Sequence, residues 1–326
     1  MKVILILAGI ILFLLCLTLL TSYICFYIAF YVPKKSNAVT DEIQTPEGEI
    51  YEPFRDQMIS WVKQTRALKH EAVSITSFDG LKLSGKYFEF APGAPIELMF
   101  HGYRGSAEKD LSGGVQRCFA LGRNVLLVNQ RTSADSEGNV ISFGINESKD
   151  CLSWIEFIIK RFGSDSKIIL TGISMGAATV MIAAGKELPP NVIGVLADCG
   201  YSSAKDIIYK TIREMHLPPM LLYPFVKLGA KLYGHFDLEE TSPIESIKNC
   251  KIPIIFVHGE ADDFVPCDMS RQVYEACTSP KVLFTVPKAG HGLGYIMDLD
   301  GYLKTVTEFS TQYIAPTEVV KYPVCY

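Results

Sequence analysis

The stretch Thr171-Gly172-Ile173-Ser174-Met175-Gly176 decides how the rest of the chain reads. Lys167-Ile168-Ile169-Leu170 leads into it, and the alanine-rich run Ala177-Ala178-Thr179-Val180-Met181-Ile182-Ala183-Ala184 leads out. β-Branched residues before it and helix formers after it predict strand, sharp turn, helix. A serine on such a turn is held in a strained backbone conformation. A glycine two residues to either side removes side chains that would strike the flanking strand and helix. The hydroxyl then projects alone above the sheet. The helix that begins beside it aims unpaired N–H groups and its positive dipole end at any negative charge that develops there. The stretch is a nucleophile elbow with Ser174 as the nucleophile.

Outward from the elbow, buried strands are predicted at 95–101, 124–129, 167–173, 191–198, 252–258 and 281–286. Helical patterns near 111–121, 147–161, 174–186, 269–277 and 299–313 alternate with them. Near-continuous apolar strands separated by helices predict a mostly parallel sheet covered on both faces. Ahead of it, Val73–Phe78 and Leu81–Phe88 alternate apolar and polar around Asp79-Gly80, which predicts a β-hairpin with a two-residue turn. The segment of about 201–249 is too long for a simple crossover and is broken by Pro218, Pro219 and Pro224. It reads as a small helical cap over the C-terminal edge of the sheet. Met220, Leu221, Leu222, Tyr223 and Phe225 either line an acyl pocket beneath that cap or pack it onto the sheet.

A serine hydroxyl needs a base to take its proton. Of six histidines, His70 precedes the sheet, His101 and His258 end strands, and His216 and His235 lie in the cap. His291 lies in the loop after the last strand, in Ala289-Gly290-His291-Gly292, from which its ring can reach the elbow. The acid that orients the ring is assigned to Asp262 in His258-Gly259-Glu260-Ala261-Asp262-Asp263-Phe264-Val265-Pro266, after the penultimate strand. Asp263 and Asp198 also satisfy the order serine, acid, histidine. Two backbone donors must face the oxygen of a tetrahedral intermediate. Met175 N–H, at the helix start, and Tyr103 N–H, in His101-Gly102-Tyr103-Arg104-Gly105, are assigned that role.

Together the elbow, the His101-Gly102-Tyr103 loop, the His258–Pro266 stretch, the glycine-flanked His291 and the position of the cap resemble the α/β-hydrolase superfamily. The resemblance is to its serine aminopeptidase S33-like and Bem46-like serine hydrolases, in which membrane-anchored bacterial members share this layout. It runs from about Val73 to Tyr313. It implies an α/β-hydrolase fold: a mostly parallel central sheet with an N-terminal β-hairpin, helices on both faces and a small helical cap insertion. It also implies Ser174, Asp262 and His291 as catalytic residues, with Tyr103 and Met175 as oxyanion donors. One departure is Asn129-Gln130-Arg131-Thr132-Ser133-Ala134-Asp135-Ser136-Glu137-Gly138, where relatives often carry Asp-x-Arg-Gly-x-Gly-x-Ser. Only the arginine is kept, which weakens inference of substrate by analogy.

Val3 to Val32 contains no charge and is long enough to span a bilayer, for which about 20 residues suffice. A secretory signal has a shorter apolar region, so an uncleaved single-pass anchor is expected, although Ser36-Asn37-Ala38 offers a small-x-small cleavage pattern. Lys2 on one side and Lys34 with Lys35 on the other leave the orientation open. The expected organisation is an anchor at 1–33, a tether with an amphipathic helix at 34–70, the hydrolase domain at 71–315 and a C-terminal tail at 316–326. The net charge of −4 and the absence of a Lys/Arg block argue against a nucleic-acid partner. Nine cysteines without framework or zinc spacing read as free thiols. The expected activity is acyl transfer to water on carboxylic esters of small-molecule or lipid substrates, with amide or thioester cleavage on the same triad as alternatives. A non-catalytic binding protein on this fold is a further alternative. No metal and no organic cofactor is expected, because backbone amides supply the electrophilic stabilisation.

Overall fold

The computed structural model describes residues 1–33, 42–317 and 319. Much of the expected tether and tail therefore lies outside the described residues. Eight strands form one sheet: β1 (Glu71–Thr76), β2 (Lys82–Phe88), β3 (Ile96–Phe100), β4 (Asn124–Val128), β5 (Ile168–Ile173), β6 (Val192–Asp198), β7 (Ile254–Gly259) and β8 (Lys281–Val286). Their order is β1-β2-β4-β3-β5-β6-β7-β8. β2 is antiparallel to both β1 and β4, and every other pairing is parallel. The chain steps from β3 outward to β4 and then back across to β5, so the strand order reverses between β3 and β5. Loops leaving the carboxyl ends of two such strands diverge and open a crevice. The loop after β3 holds His101–Gly105, and the turn after β5 holds Ser174.

The hairpin differs in detail from expectation. Ser77 N–H bonds the Leu81 carbonyl at 2.8 Å, so three residues, Phe78 to Gly80, make the turn rather than two. Gly80 has φ +89°, which suits a three-residue hairpin ending in a left-handed residue.

Helices cover both faces. Leu98 and Phe100 of β3 pack with Trp154 and Ile155 of α4 (Ile145–Phe162), whereas Met99 between them packs with Leu111 and Val115 of α3 (Ala107–Ala120). That alternation is what a strand buried on both faces requires. Glu97 breaks the apolar run and is fully buried. It is ion-paired to Arg117 and Arg123 and accepts from Thr171 Oγ1 at 3.0 Å. Burial pushes its carboxyl up, but the two guanidinium charges outweigh this and hold it down at about 2.

The N-terminal helix, α1 (Lys2–Ala29), is long and apolar enough to cross a membrane. Its large apolar side chains from Val3 to Leu17 are exposed, but Ser22, Phe26 and Phe30 at its C-terminal end are buried. They pack on the cap helix α7 (Pro219–Tyr233), with α6 (Ala204–Glu214) beyond it. The amphipathic segment is a helix, α2 (Arg55–Ala67), which lies on α3. Its Trp61 ring stacks on Tyr295 in α10 (Gly294–Met297) at 5.6 Å.

Candidate active site

Ser174 follows β5 with φ +56° and ψ −117°, a strained conformation for a residue with a side chain. It stands immediately before α5 (Met175–Ala184), and its N–H bonds the Asp198 carbonyl at 2.8 Å. Close packing explains both motif glycines. A Cβ on Gly172 would lie 2.1 Å from the Gly176 carbonyl oxygen, and one on Gly176 would lie 2.0 Å from that of Phe100. The turn is therefore pressed against the end of β3. A Cβ on Gly102 would lie 3.5 Å from Ser174 Cβ, which places the His101–Gly105 loop beside the serine.

His291 Nδ1 lies 2.7 Å from Asp262 Oδ2. The second oxygen, Oδ1, accepts from the N–H groups of Phe264 and Val265 at 2.9 and 2.8 Å. His258, four residues before Asp262 and fully buried, lies 3.2 Å from Oδ2 through Nε2, which also bonds the Val265 carbonyl. Burial would raise the Asp262 carboxyl, but the bonds from His258 and His291 and the His291 charge hold it well below the usual carboxylate range. An ionised carboxylate is thus fixed against His291 Nδ1. Asp198 and Asp263 are not placed this way. Asp198 is buried at the end of β6, where desolvation pushes its carboxyl up to about 6. Asp263 offers its backbone oxygen to Lys210.

Several contributors carried no sequence signal. Tyr51 OH donates to the His291 carbonyl at 3.0 Å, and residues 46–51, which the sequence placed in the tether and the start of the amphipathic helix, form part of the site wall. Asp110 accepts from Gly102 N–H at 3.0 Å. His101 is buried, with Nε2 accepting from Gln130 N–H at 3.0 Å. Gln130 returns a bond to the His101 carbonyl, so this histidine pins the loop. Gln130 lies in the stretch that departs from the family pattern. Arg131, the residue retained there, is paired with Asp150 and Asp79. Cys199, with φ +45°, places Sγ 4.0 Å from His291 Nε2. Burial drives its thiol far above its ordinary range, which favours the protonated form. Cys199, Asp262 and His291 bring ligand atoms of the kind that hold a metal ion within 4.8 Å of one another. The Asp262 oxygens, however, are already engaged by His291, His258 and two backbone N–H groups.

Ser174, His291, Gly102 and Tyr103 open onto one cavity of about 540 Å³. Its apolar walls include Met58, Trp61, Met99, Leu196, Tyr295 and Ile296, so it runs between the sheet and α2, α3 and α10. None of Met220, Leu221, Leu222, Tyr223 and Phe225 lines this cavity: Met220 and Leu221 are exposed, and Tyr223 is buried in the cluster that holds α1. Trp61 Nε1 and Arg117 Nε, on two residues that line the cavity, are buried donors with no acceptor among the described residues.

A sheet of this order, with a serine elbow after β5 and a histidine–carboxylate pair delivered by the loops after β7 and β8, defines an α/β-hydrolase. The sequence pattern of the prolyl oligopeptidase family matches residues 142–317, more than half of the chain, and the chain belongs to that family. Among curated relatives, the uncharacterized protein YqkD of Bacillus subtilis is 30% identical over 190 residues, which cover 58% of this chain and 62% of that one. The match thus spans less than two thirds of that relative's length. Protein bem46 of Schizosaccharomyces pombe is 25% identical over 253 residues, covering 74% of this chain and 77% of that one, and the chain is Bem46-like. Among solved structures, the Pyrococcus furiosus esterase Pf2001 superposes with a TM-score of 0.62 at 18% identity, over 86% of this chain and 98% of that one. At that identity the likeness is one of fold. The chain thus belongs to a family of hydrolases.

Proposed function

We propose that the protein is a membrane-tethered serine hydrolase that cleaves carboxylic esters through an acyl-enzyme. The observation that carries this is the opening of the strained Ser174 and the Asp262-paired His291 onto one apolar cavity. Ser174 Oγ attacks the ester carbonyl carbon as His291 Nε2 takes its proton, and the carbonyl π electrons move to oxygen. The N–H groups of Tyr103 and Met175 stabilise that oxyanion. As it collapses, the C–O bond to the alcohol breaks and His291 returns the proton to the leaving oxygen. Water then repeats the sequence on the acyl-serine and releases the acid. Asp262, kept ionised by its partners, stabilises the imidazolium in both halves.

A volume of about 540 Å³ is in the range of small-ligand pockets, and its walls suit an aliphatic or aromatic acyl group. An oxygen on the substrate, or a water carried with it, would satisfy Trp61 Nε1 and Arg117 Nε. Peptide or amide cleavage is the second reading, favoured by the family match. The 28-residue α1 supports tethering to a bilayer. Labelling by a fluorophosphonate, together with turnover of short and long acyl esters, an acyl thioester and aminoacyl amides, tests the proposal. Wild type should label and prefer esters, and Ser174→Ala should do neither. An intact wild-type protein that takes no label and turns over nothing would leave only a binding role on this fold.

A further inference from the structure

The anchor does more than hold the domain near a surface. The last turn of a helix presents carbonyls with no partner inside the helix and the negative end of its dipole. In α1 those carbonyls meet the oxyanion loop. Tyr103 OH donates to the Ala29 carbonyl at 2.8 Å, and Arg104 Nη2 donates to the carbonyls of Ile28 and Tyr31 at 2.8 and 3.0 Å. The Arg104 guanidinium lies 5.2 Å from the centre of the Tyr103 ring, so the two side chains form one clamp. Arg104 has φ +52°, a conformation that persists in a non-glycine residue only where surrounding contacts impose it.

The chain leaving α1 also reaches the second donor. Val32 N–H bonds the Asn139 carbonyl, and Ile141 N–H bonds the Phe30 carbonyl, both at 2.9 Å. Val32 is buried in a cluster with Ile141, Met175, Tyr201 and Val265, against which Tyr103 packs. Phe30 meets Phe143 edge-on at 5.6 Å, and Phe143 lies 5.3 Å from Tyr103. α1 is itself fixed from behind by α7. Tyr233 OH donates to the Leu19 carbonyl at 3.1 Å, and Gly229 allows an approach so close that a Cβ there would lie 2.4 Å from the Ser22 carbonyl oxygen.

We infer that the C-terminal turn of α1 is a structural part of the oxyanion hole, with the side chains of Tyr103 and Arg104 as positioning residues that brace the loop against it. Reaction geometry is sensitive to displacements of about 1 Å, so loosening the clamp should act on the transition state and spare ground-state binding. This rests on the reading of Ser174, Tyr103 and Met175 given above, and the test separates the two. Full-length wild type, Arg104→Ala, Arg104→Lys and Tyr103→Phe are compared in detergent micelles, with kcat expressed per fluorophosphonate-titrated site and thermal midpoints recorded. Arg104→Ala should lose about tenfold in kcat with KM within about twofold, a fraction of the cost of deleting an oxyanion donor outright. Affinity for a trifluoromethyl ketone, whose adduct carries the oxyanion, should fall by the same factor as kcat/KM. Arg104→Lys should recover part of the loss, and Tyr103→Phe should show a smaller loss of the same kind. Variants that keep wild-type kcat per titrated site and ketone affinity would overturn the brace while leaving the hydrolase reading intact. A role confined to stability would move the midpoint and the number of titratable sites alone, which also overturns it. A wild type that neither labels nor turns over would remove the hydrolase reading and the brace with it.

Discussion

The two flanks of Ser174 are built differently. On one flank α6, α7 and the end of α1 close on one another, with Phe26, Phe30, Tyr223 and Phe236 buried together. On the other, a cavity of about 540 Å³ remains between the sheet and α2, α3 and α10. The first flank uses its apolar side chains to hold the N-terminal helix, and the second keeps room beside Ser174. The contrast teaches that a cap rich in Met, Leu and aromatic residues does not mark the acyl site by composition alone. The same chemistry packs one helix onto another.

The comparison is broken first if the residues at the junction of the flanks prove dispensable. His291→Ala is expected to lower kcat by about six orders of magnitude, through loss of the base, and Asp262→Asn by about four, through loss of its correct tautomer. Steady-state kinetics on a short activated ester measures this, and a loss below about tenfold would place the chemistry elsewhere. The second challenge is to the cavity floor, where Arg117 lines the open flank and pairs with Glu97 beneath it. Glu97→Gln strips charge compensation from Arg117 and Arg123 and should destabilise the fold by about 3–5 kcal/mol, read by urea unfolding. A third test sharpens the contrast itself. Met58→Trp narrows the open flank and should lower kcat/KM for long acyl esters about tenfold relative to short ones. Leu221→Glu, on the exposed cap surface, should leave that ratio unchanged. Equal effects of the two substitutions would erase the distinction between flanks.

The smallest effect expected is the dependence of stability on pH. Glu97 is held at about 2, so its contribution is complete above its ordinary 4.5 and is lost as the pH falls through 2. Asp150 and Asp198 act in the opposite sense. Burial pushes both up to about 6, so between 6 and 3.8 the folded state binds protons that the unfolded state does not. These carboxyls should therefore raise the urea midpoint from pH 7 towards 4.5 and lower it below that, the buried imidazole of His101, held below its ordinary 6.5, opposing the rise. Asp198→Asn should remove part of the rise, and Glu97→Gln should flatten part of the drop.

Most of the sheet was legible because its signals are local. β3 to β8 are apolar runs bounded by turn residues, and the Gly172-x-Ser174-x-Gly176 spacing records a close approach that the backbone enforces. The pairing of Asp262 with His291 was readable for the same reason, each lying in a loop that follows a strand. What could not be read depends on contacts between distant segments. Tyr51 reaches His291 across 240 positions, and nothing near it in the chain announces that bond. His258 looked like a strand terminus, although its ring is one of the groups holding Asp262. The Asp79-Gly80 pair announced a turn, but its length was set by the pairing of Ser77 with Leu81. The apolar run at the N-terminus concealed most. Composition separates anchor from domain near residue 33, yet Phe26, Phe30 and Val32 are buried against the cap and the elbow. A fragment starting after Val32 would lose side chains from two clusters, and is expected to unfold at a lower temperature than the full chain.

The central claim is that an acyl group passes through the Ser174 oxygen. Full-length protein mixed with a slowly deacylating aryl ester, quenched in acid within one turnover, digested and examined by mass spectrometry, tests it directly. The account predicts an acyl mass increment on Ser174 that grows with the burst of aryl alcohol and is absent from Ser174→Ala. Turnover with the increment on Cys199, or with no covalent adduct in a burst of full amplitude, would contradict it.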